Sequence, residues 1–426
     1  MIFAEKNPTK AASNNASRAD VWLARLAVAL FLLFPLSAAL SNTVWGILVV
    51  VWFIVRLRQG RTAAAFKNPV GILCLALYSI VVLGALHFSA PWDDIWQHLR
   101  KYGKLLLIPI VVDIINSSGA RRRCENAFGI ACGIVIFITL LNYFRLPDRS
   151  DIGALSNAAL FGDYLVQSIL MAGFVILAVT RALADWKHHK ILALCWLLGG
   201  SLAVMCNLYL SIGRTGAVML MIGAATLTLV RIRPLKLAVC CAAISVAITT
   251  LAVITSPALS SRCNDFKVEW QNAERDKFSS TGHRLYNFQT GIQLFIQRPL
   301  IGWGTGAYHS KICDVMPDPG RCDHFNWHPH NQFLFFGIEH GLLGIFLYVA
   351  LLMALAARAL QHTEAALRAS GLAFIAMLAV NSLFNSPLWS GRESLMFLLL
   401  SALLIATNAT RPTRVTAPQP QPAAPA

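Results

Sequence analysis

The stretch Leu235–Thr255, LKLAVCCAAISVAITTLAVIT, holds 21 residues with a single charge, Lys236, near its start. An α-helix needs about 20 apolar residues to cross the hydrocarbon core of a bilayer. The run is continuous and lacks the alternation that a barrel strand would show. Arg231, Arg233 and Lys236 stand at its N-terminal end, and a long polar stretch begins at Ser256. Because positive charge gathers on cytoplasmic loops, this segment predicts a span and its direction. The polar stretch then lies on the face opposite the cytoplasm.

Outward from this run, similar ones occur at Val21–Leu40, Asn42–Val55, Pro69–Phe88, Gly103–Ile115, Ala127–Phe144, Leu160–Val179, Ile191–Leu210 and Thr215–Val230. After the polar stretch come Phe333–Ala356, Ala369–Phe384 and Ser394–Ala406. The expected fold is an all-α polytopic membrane protein of about 12 transmembrane helices with one large loop. The first run follows Lys6, Lys10 and Arg18 and has the look of a signal peptide. Its long leader and the many spans behind it favour a retained first helix. The composition agrees: of 426 residues 56% are hydrophobic and only 13% charged, with a mean hydropathy of +0.59. Soluble domains carry about 25% charged residues, so a soluble enzyme, a disordered chain and a disulfide-stapled secreted module are all excluded. The net charge of +16 reads first as cationic cytoplasmic loops and not as a nucleic-acid surface.

Arginines and lysines recur in every second loop: Arg56, Arg58, Arg61 and Lys67; Arg121–Arg123; Arg181, Lys187 and Lys190; Arg231, Arg233 and Lys236; Arg358 and Arg368. Both termini are therefore expected in the cytoplasm. The plan has a cytoplasmic N-terminal tail (1–20), nine helices (21–255), a loop on the far face (256–330), three further helices (331–408) and a disordered tail (409–426). The Pro/Ala/Gln-rich end, Thr413–Ala426, supports the last assignment. Within the loop, Leu285–Phe295 has apolar residues three and four apart, which predicts an amphipathic helix. Seven of the ten cysteines fall in or beside spans as small apolar filler. Cys263, Cys313 and Cys322 lie in the loop. Cys313 and Cys322 flank a Pro-Asp-Pro-Gly turn and can form a disulfide, unless Cys263 takes one of these partners.

Three stretches on the loop face could carry chemistry. Ser211-Ile-Gly-Arg-Thr-Gly216 sets Arg214 between glycines in a tight turn, as an interfacial anchor or as a ligand contact. Gly282-His-Arg-Leu-Tyr286 opens the loop helix, where Arg284 and exposed backbone N–H groups suit a phosphate. Gly302-Trp-Gly-Thr-Gly306 lacks the spacing of a nucleotide fingerprint and reads as turns. The third stretch is His328-Pro-His330-Asn331, ahead of a span containing Glu339, Gly341 and Gly344. With Asp323 and His324 nearby a metal site is conceivable, but the spacing matches no common ligand motif. A histidine at a membrane–water boundary is a natural general base.

Taken together these residues resemble the lipopolysaccharide O-antigen ligase family, part of a superfamily with O-antigen polymerases and O-linked protein oligosaccharyltransferases. The likeness lies in His330-Asn331 followed by Gly341 and Gly344, in Arg214 before the eighth span, in Arg284, and in Pro299–Gly306. The twelve-span plan with one large periplasmic loop adds to it, and resembles the GT-C-like membrane glycosyltransferases. The resemblance implies a bacterial inner-membrane enzyme whose active site faces the periplasm. It would transfer a glycan from undecaprenyl diphosphate to a sugar hydroxyl of lipid A–core, with inversion and with neither metal nor other cofactor.

Under that reading His330, Arg214 and Arg284 are the catalytic candidates, the histidine as base and the arginines as stabilisers of the departing diphosphate. Asn331, Tyr286 and His328 are candidates for substrate binding. Arg100, Lys101 and Lys104 break the charge rule on the far face, and join them either as interfacial anchors or as phosphate contacts. The rivals are a polymerase of the same superfamily and, from another class, a transporter. Transporters place ionisable residues near the bilayer midplane, whereas here they gather at one face.

Overall fold

The computed structural model describes residues 17–87, 90–146, 159–160, 163–273, 275–315 and 327–407. Every regular element among them is helical. In chain order these are α1 (Arg18–Leu33), α2 (Ala38–Arg58), α3 (Pro69–Ala85), α4 (Trp92–Tyr102), α5 (Leu107–Ser118), α6 (Arg121–Arg145), α7 (Tyr164–Asp185) and α8 (Lys190–Tyr209). There follow α9 (Arg214–Arg231), α10 (Leu235–Thr255), α11 (Pro257–Gln271), α12 (Ser280–Gln297), α13 (Ala307–Val315), α14 (Gln332–Leu360), α15 (Ala365–Phe384) and α16 (Gly391–Ile405).

Eight of these helices, α2, α6 to α10, α14 and α15, are long and apolar enough to cross a membrane. The protein is a polytopic membrane protein. The other four expected spans correspond to α1, α3, α5 and α16, with 16, 17, 12 and 15 residues. All four fall short of a full crossing at 1.5 Å per residue. The expected first span, Val21–Leu40, is divided because Pro35 cannot continue a helix; α1 stops at Leu33 and Ser37 caps α2 through a bond from the Leu40 amide. Ser256 with Pro257, and Asn68 with Pro69, start α11 and α3 by the same cap-then-proline logic.

The two sets of loops read from the sequence separate to the two ends of the bundle. At the arginine-rich end Arg56 is 1% exposed and bridges Asp20 at 2.8 Å and Asp113 at 2.6 Å, so that one guanidinium joins α1, α2 and α5. Arg181 holds Glu125 and Asp185 at the same end, and Arg122 reaches Asp185 at 2.9 Å. Buried charges survive in an apolar bundle only when paired in this way. The opposite end carries α4 and the described residues between Ser256 and Val315. The expected loop helix is present as α12, and α11 and α13 flank it.

The polar region is fastened to the bundle by backbone pairing. α14 is interrupted at Gly341, where φ is 65° and ψ −160°, a conformation that is essentially glycine-only. The interruption frees carbonyls and an N–H that residues 299–304 take up. Trp303 and Gly304 donate to the carbonyls of Ile338 and Glu339, each at 2.9 Å, and Leu342 donates to that of Pro299 at 2.7 Å. Thr305 then donates its N–H to Gly84 O at 3.2 Å and its hydroxyl to Val81 O at 2.6 Å, which locks the segment to the end of α3.

Some expectations fall outside the described residues: Asp323, His324, Cys322 and the tail from 408 onward. Cys313 is disulfide-bonded and Cys263 is free.

Gly341→Ala should destabilise the protein by about 1–3 kcal/mol or more, since its Cβ would overlap the backbone of Leu300. Gly133→Ala, in α6 with nothing within 4 Å, should be neutral or stabilising by up to about 1 kcal/mol. Thermal unfolding of the two variants in detergent, with both losing equal stability, would contradict this account of the interruption.

Candidate active site

His330 sits on the last residue before the cap of α14, with φ at 51°. A left-handed non-glycine residue costs on the order of 1–3 kcal/mol and persists only where its surroundings impose it. Here Asn331 imposes it. Its Oδ1 accepts the Leu334 N–H at 2.9 Å as the helix cap, while its Nδ2 donates to Leu383 O at 3.2 Å. Both polar atoms of this side chain are thus committed to the fold, and the structure gives Asn331 the task of positioning His330.

Around the His330 imidazole stand His328, with ring centroids 4.2 Å apart, and His283 of α12, at 5.4 Å. Asn287, one turn after His283, donates to the His328 carbonyl at 3.4 Å and so ties α12 to the segment before α14. The Nδ1 of His330 is buried without a hydrogen-bond partner. Burial first, and then His328, Arg284 and His283, hold His330 well below the usual histidine range. His328 is pushed down to about 3 by burial and then by Lys101, His283 and Arg284. Both rings are therefore neutral at pH 7, a state in which a ring nitrogen can accept a proton.

Arg284 lies one turn inside α12. Burial and the like charge of Arg214 lower its pKa, and it has no ion-pair or hydrogen-bond partner among the described residues. The amides that open α12 are already occupied, in contrast to the expectation of a free helix N-terminus. Thr281 N–H donates to Glu269 at 3.1 Å and Gly282 N–H to Ser279 Oγ at 3.1 Å. An anion here meets the guanidinium, not the helix end. Arg214 is the first residue of α9; it donates to Arg262 O at 2.8 Å and lies over the Phe266 ring. The neighbouring Gly213 and Gly216 serve packing, because a Cβ at either would overlap Ser168 of α7. They do not open the backbone to a ligand. Among the described residues the carboxylates that act on Arg214, Arg262 and Arg284 are those of Asp265 and Glu269, so that within this set the cations outnumber them.

Of the basic residues on α4 and the turn after it, Arg100 is exposed, whereas Lys104 is buried and donates to Gly391 O at 3.3 Å. Lys101 lies 3.4 Å from the centroid of the Trp389 ring. Burial, then Lys104 and Arg100, lower its pKa to about 7, and burial with Arg100 lowers that of Lys104 to about 8. Tyr286 lies beneath Lys277, whose Nζ is 4.6 Å from the ring centroid. The structure thus brings His330, His328, Arg284, Arg214 and Lys101 into one electrostatic neighbourhood and leaves Arg100 at its margin. No cluster of three or more metal-ligating side chains occurs among the described residues.

Reading along the chain missed His283, Arg262, His98 and Trp389. His283 sits inside the quoted Gly282–Tyr286 stretch and was overlooked for its neighbour. His98 is 3% exposed and meets Glu339 Oε1 at 2.9 Å. These two residues stand 241 positions apart, and no local pattern joins them.

With this geometry in view, the family comparison is specific: residues 197–349 match the family model described as O-antigen ligase. This match supports the O-antigen ligase family for the stretch it covers. The matched stretch runs from α8 into α14 and contains Arg214, Arg284, His328 and His330, while α4 lies outside it. The match supports the O-antigen ligase/polymerase superfamily, a family that implies glycosyl transfer in general. No curated protein matches the chain at a significant level.

The lowered basicity of the two histidines predicts their titration. Site-resolved histidine hydrogen–deuterium exchange on the substrate-free protein should place the midpoint of His328 near 3 and that of His330 well below the usual histidine range. Midpoints near the unperturbed 6.5 would mean that these rings are solvated.

Proposed function

We propose that the protein is an O-antigen ligase of the bacterial inner membrane, which transfers a glycan from undecaprenyl diphosphate to a sugar hydroxyl of lipid A–core. The observation that carries this reading is a neutral, strained and partly unpartnered His330 beside an arginine cluster that outnumbers its carboxylates among the described residues. The arginine-rich loops are cytoplasmic in this proposal, as are both termini, and the His330 end faces the periplasm.

The chemistry follows from the two halves of the site. The donor's diphosphate is held by Arg284 and Arg214, with Arg262 beside them, where planar guanidinium forks match phosphate oxygens. The acceptor hydroxyl attacks the anomeric carbon from the face opposite the diphosphate, so configuration inverts. His330 takes the hydroxyl proton as the new C–O bond forms, and the bond to phosphate breaks with its electrons moving onto undecaprenyl diphosphate. The arginines stabilise that growing charge. Arg284 is one of the charges that depress His330, and a bound diphosphate offsets it. Donor binding therefore raises the basicity of His330 when a base is needed.

Purified protein mixed with undecaprenyl-diphosphate-linked glycan and lipid A–core should yield glycan on the core. Longer lipid-linked chains in its place would assign a polymerase, and no covalent product would support transport. His330→Gln should lose roughly 10²–10⁴-fold in turnover with donor binding little changed, whereas Arg284→Lys and Arg214→Lys should weaken donor binding and turnover together. Near-normal turnover by His330→Gln would remove the base assignment. Single cysteines in a background lacking the others test the orientation. A probe applied from the periplasm should label position 280 and not position 122, and the reverse pattern would overturn the proposed facing of the site.

A further inference from the structure

A second concavity opens on the same end of the bundle, between α4, α13 and α14. It has a volume of about 250 Å³, and four of its walls are aromatic: Trp327, Phe335, Tyr308 and Trp389. The remaining walls are polar, from Asp94, Gln97, His98 and His309. No lysine or arginine lines it. We infer that this cavity is a subsite for an uncharged pyranose ring of the acceptor, beside the His330 cluster; the inference rests on the glycosyl transfer proposed above.

The lining selects the ligand class. A phosphate would need cationic partners, and the arginines that supply them belong to α9, α11 and α12 and do not reach this cavity. A lipid tail would leave the carboxylate and amide unsatisfied. A sugar ring matches both sets of walls, with C–H faces for the aromatic rings and hydroxyls for the carboxylate, amide and imidazole.

The walls are also held rigidly. Trp389 packs on His98 with ring centroids 4.1 Å apart and on Phe335 at 5.4 Å, and Lys101 covers it. His98 Nδ1 bonds to Asp94 O at 2.8 Å, and its Nε2 lies 2.9 Å from Glu339 Oε1. Asp94 Oδ1 lies 3.1 Å from His309 Nδ1. Gln97 makes no hydrogen bond among the described residues, which leaves its amide to meet a hydroxyl, and the Trp327 ring is 65% exposed.

Its position assigns the ring to the acceptor. Trp327 directly precedes His328 in the chain, and Lys101, over Trp389, is felt electrostatically at His328. The arginine cluster contacts the histidines through α12 instead. The cavity is thus linked to His328, two residues before His330, through Trp327 and Lys101, while the arginine cluster acts on both histidines from α12.

Saturation-transfer NMR on the detergent-solubilised protein, with lipid-free core oligosaccharide as probe, should show transfer to pyranose C–H protons. Trp327→Ala and Gln97→Ala should reduce it, and Trp96→Ala, an exposed residue on α4 outside the lining, should not. In turnover, Trp327→Ala should raise the KM for lipid A–core roughly three- to ten-fold, the worth of one aromatic contact, and leave the donor KM unchanged. A rise in the donor KM instead, or competition by the donor glycan released from its lipid, would assign the cavity to the donor and overturn the inference. Absence of transfer to the core probe, or transfer indifferent to Trp327→Ala, would overturn it as well. The binding arm needs no turnover, so it can succeed where the proposed transfer fails, and each can be judged separately.

Discussion

The pairing of residues 299–304 with the interrupted turn of α14 is the constraint on which the functional end depends. A helix inside an apolar bundle has no spare hydrogen-bonding groups, since each carbonyl is taken by the amide four residues on. At Gly341 that ladder is broken, and a broken ladder in low dielectric is costly unless other partners are supplied. Pro299, Trp303 and Gly304 supply them. The same contact brings Gly306 N–H to Glu339 Oε1 at 3.0 Å, and that carboxylate oxygen also meets His98. One backbone irregularity thereby connects α3, α4, α12, α13 and α14. Gly302, with φ at 70°, fits because its Cα lies against the backbone of Glu339, where a side chain would overlap.

From that anchor the chemistry is distributed by charge. At the arginine-rich end Arg56, between Asp20 and Asp113, and Arg181, between Glu125 and Asp185, are paired cations that hold helices together. At the His330 end the balance is left open. Arg284 has no ion pair among the described residues, and Arg214 spends its bond on a backbone carbonyl. Unbalanced positive charge is destabilising on its own account, which is the usual mark of a site prepared for an anion. In the proposed reaction the neutral histidines beside it are the complementary half: a base and a cluster that stabilises the leaving diphosphate can coexist only if the base does not share the charge.

Much of this was legible along the chain. Twelve apolar runs each contain a helix, although four are shorter than a crossing requires, because proline and helix-end signals cut across hydropathy. The loop helix was readable from apolar residues three and four apart, and the His330 and Arg284 stretches from their residue types. The roles of the glycines were less legible. Those around Arg214 looked like room for a ligand and proved to be room for Ser168, since a glycine's purpose depends on what faces it.

What the sequence by itself determined was the membrane class, the family resemblance and the separation of loops into two charge sets. These follow from local composition and period, which act over a few residues at a time. Only the tertiary structure decided that His283, rather than the amides opening α12, stands beside His330, that Asn331 is a cap, and that Lys101 and Lys104 turn inward while Arg100 does not. It also decided the meeting of His98 with Glu339 and the aromatic cavity next to them. Such groupings join residues distant in the chain, as His98 and Glu339 are at 241 positions apart. They arise from helix packing and one interrupted backbone ladder, whose partners no local pattern specifies.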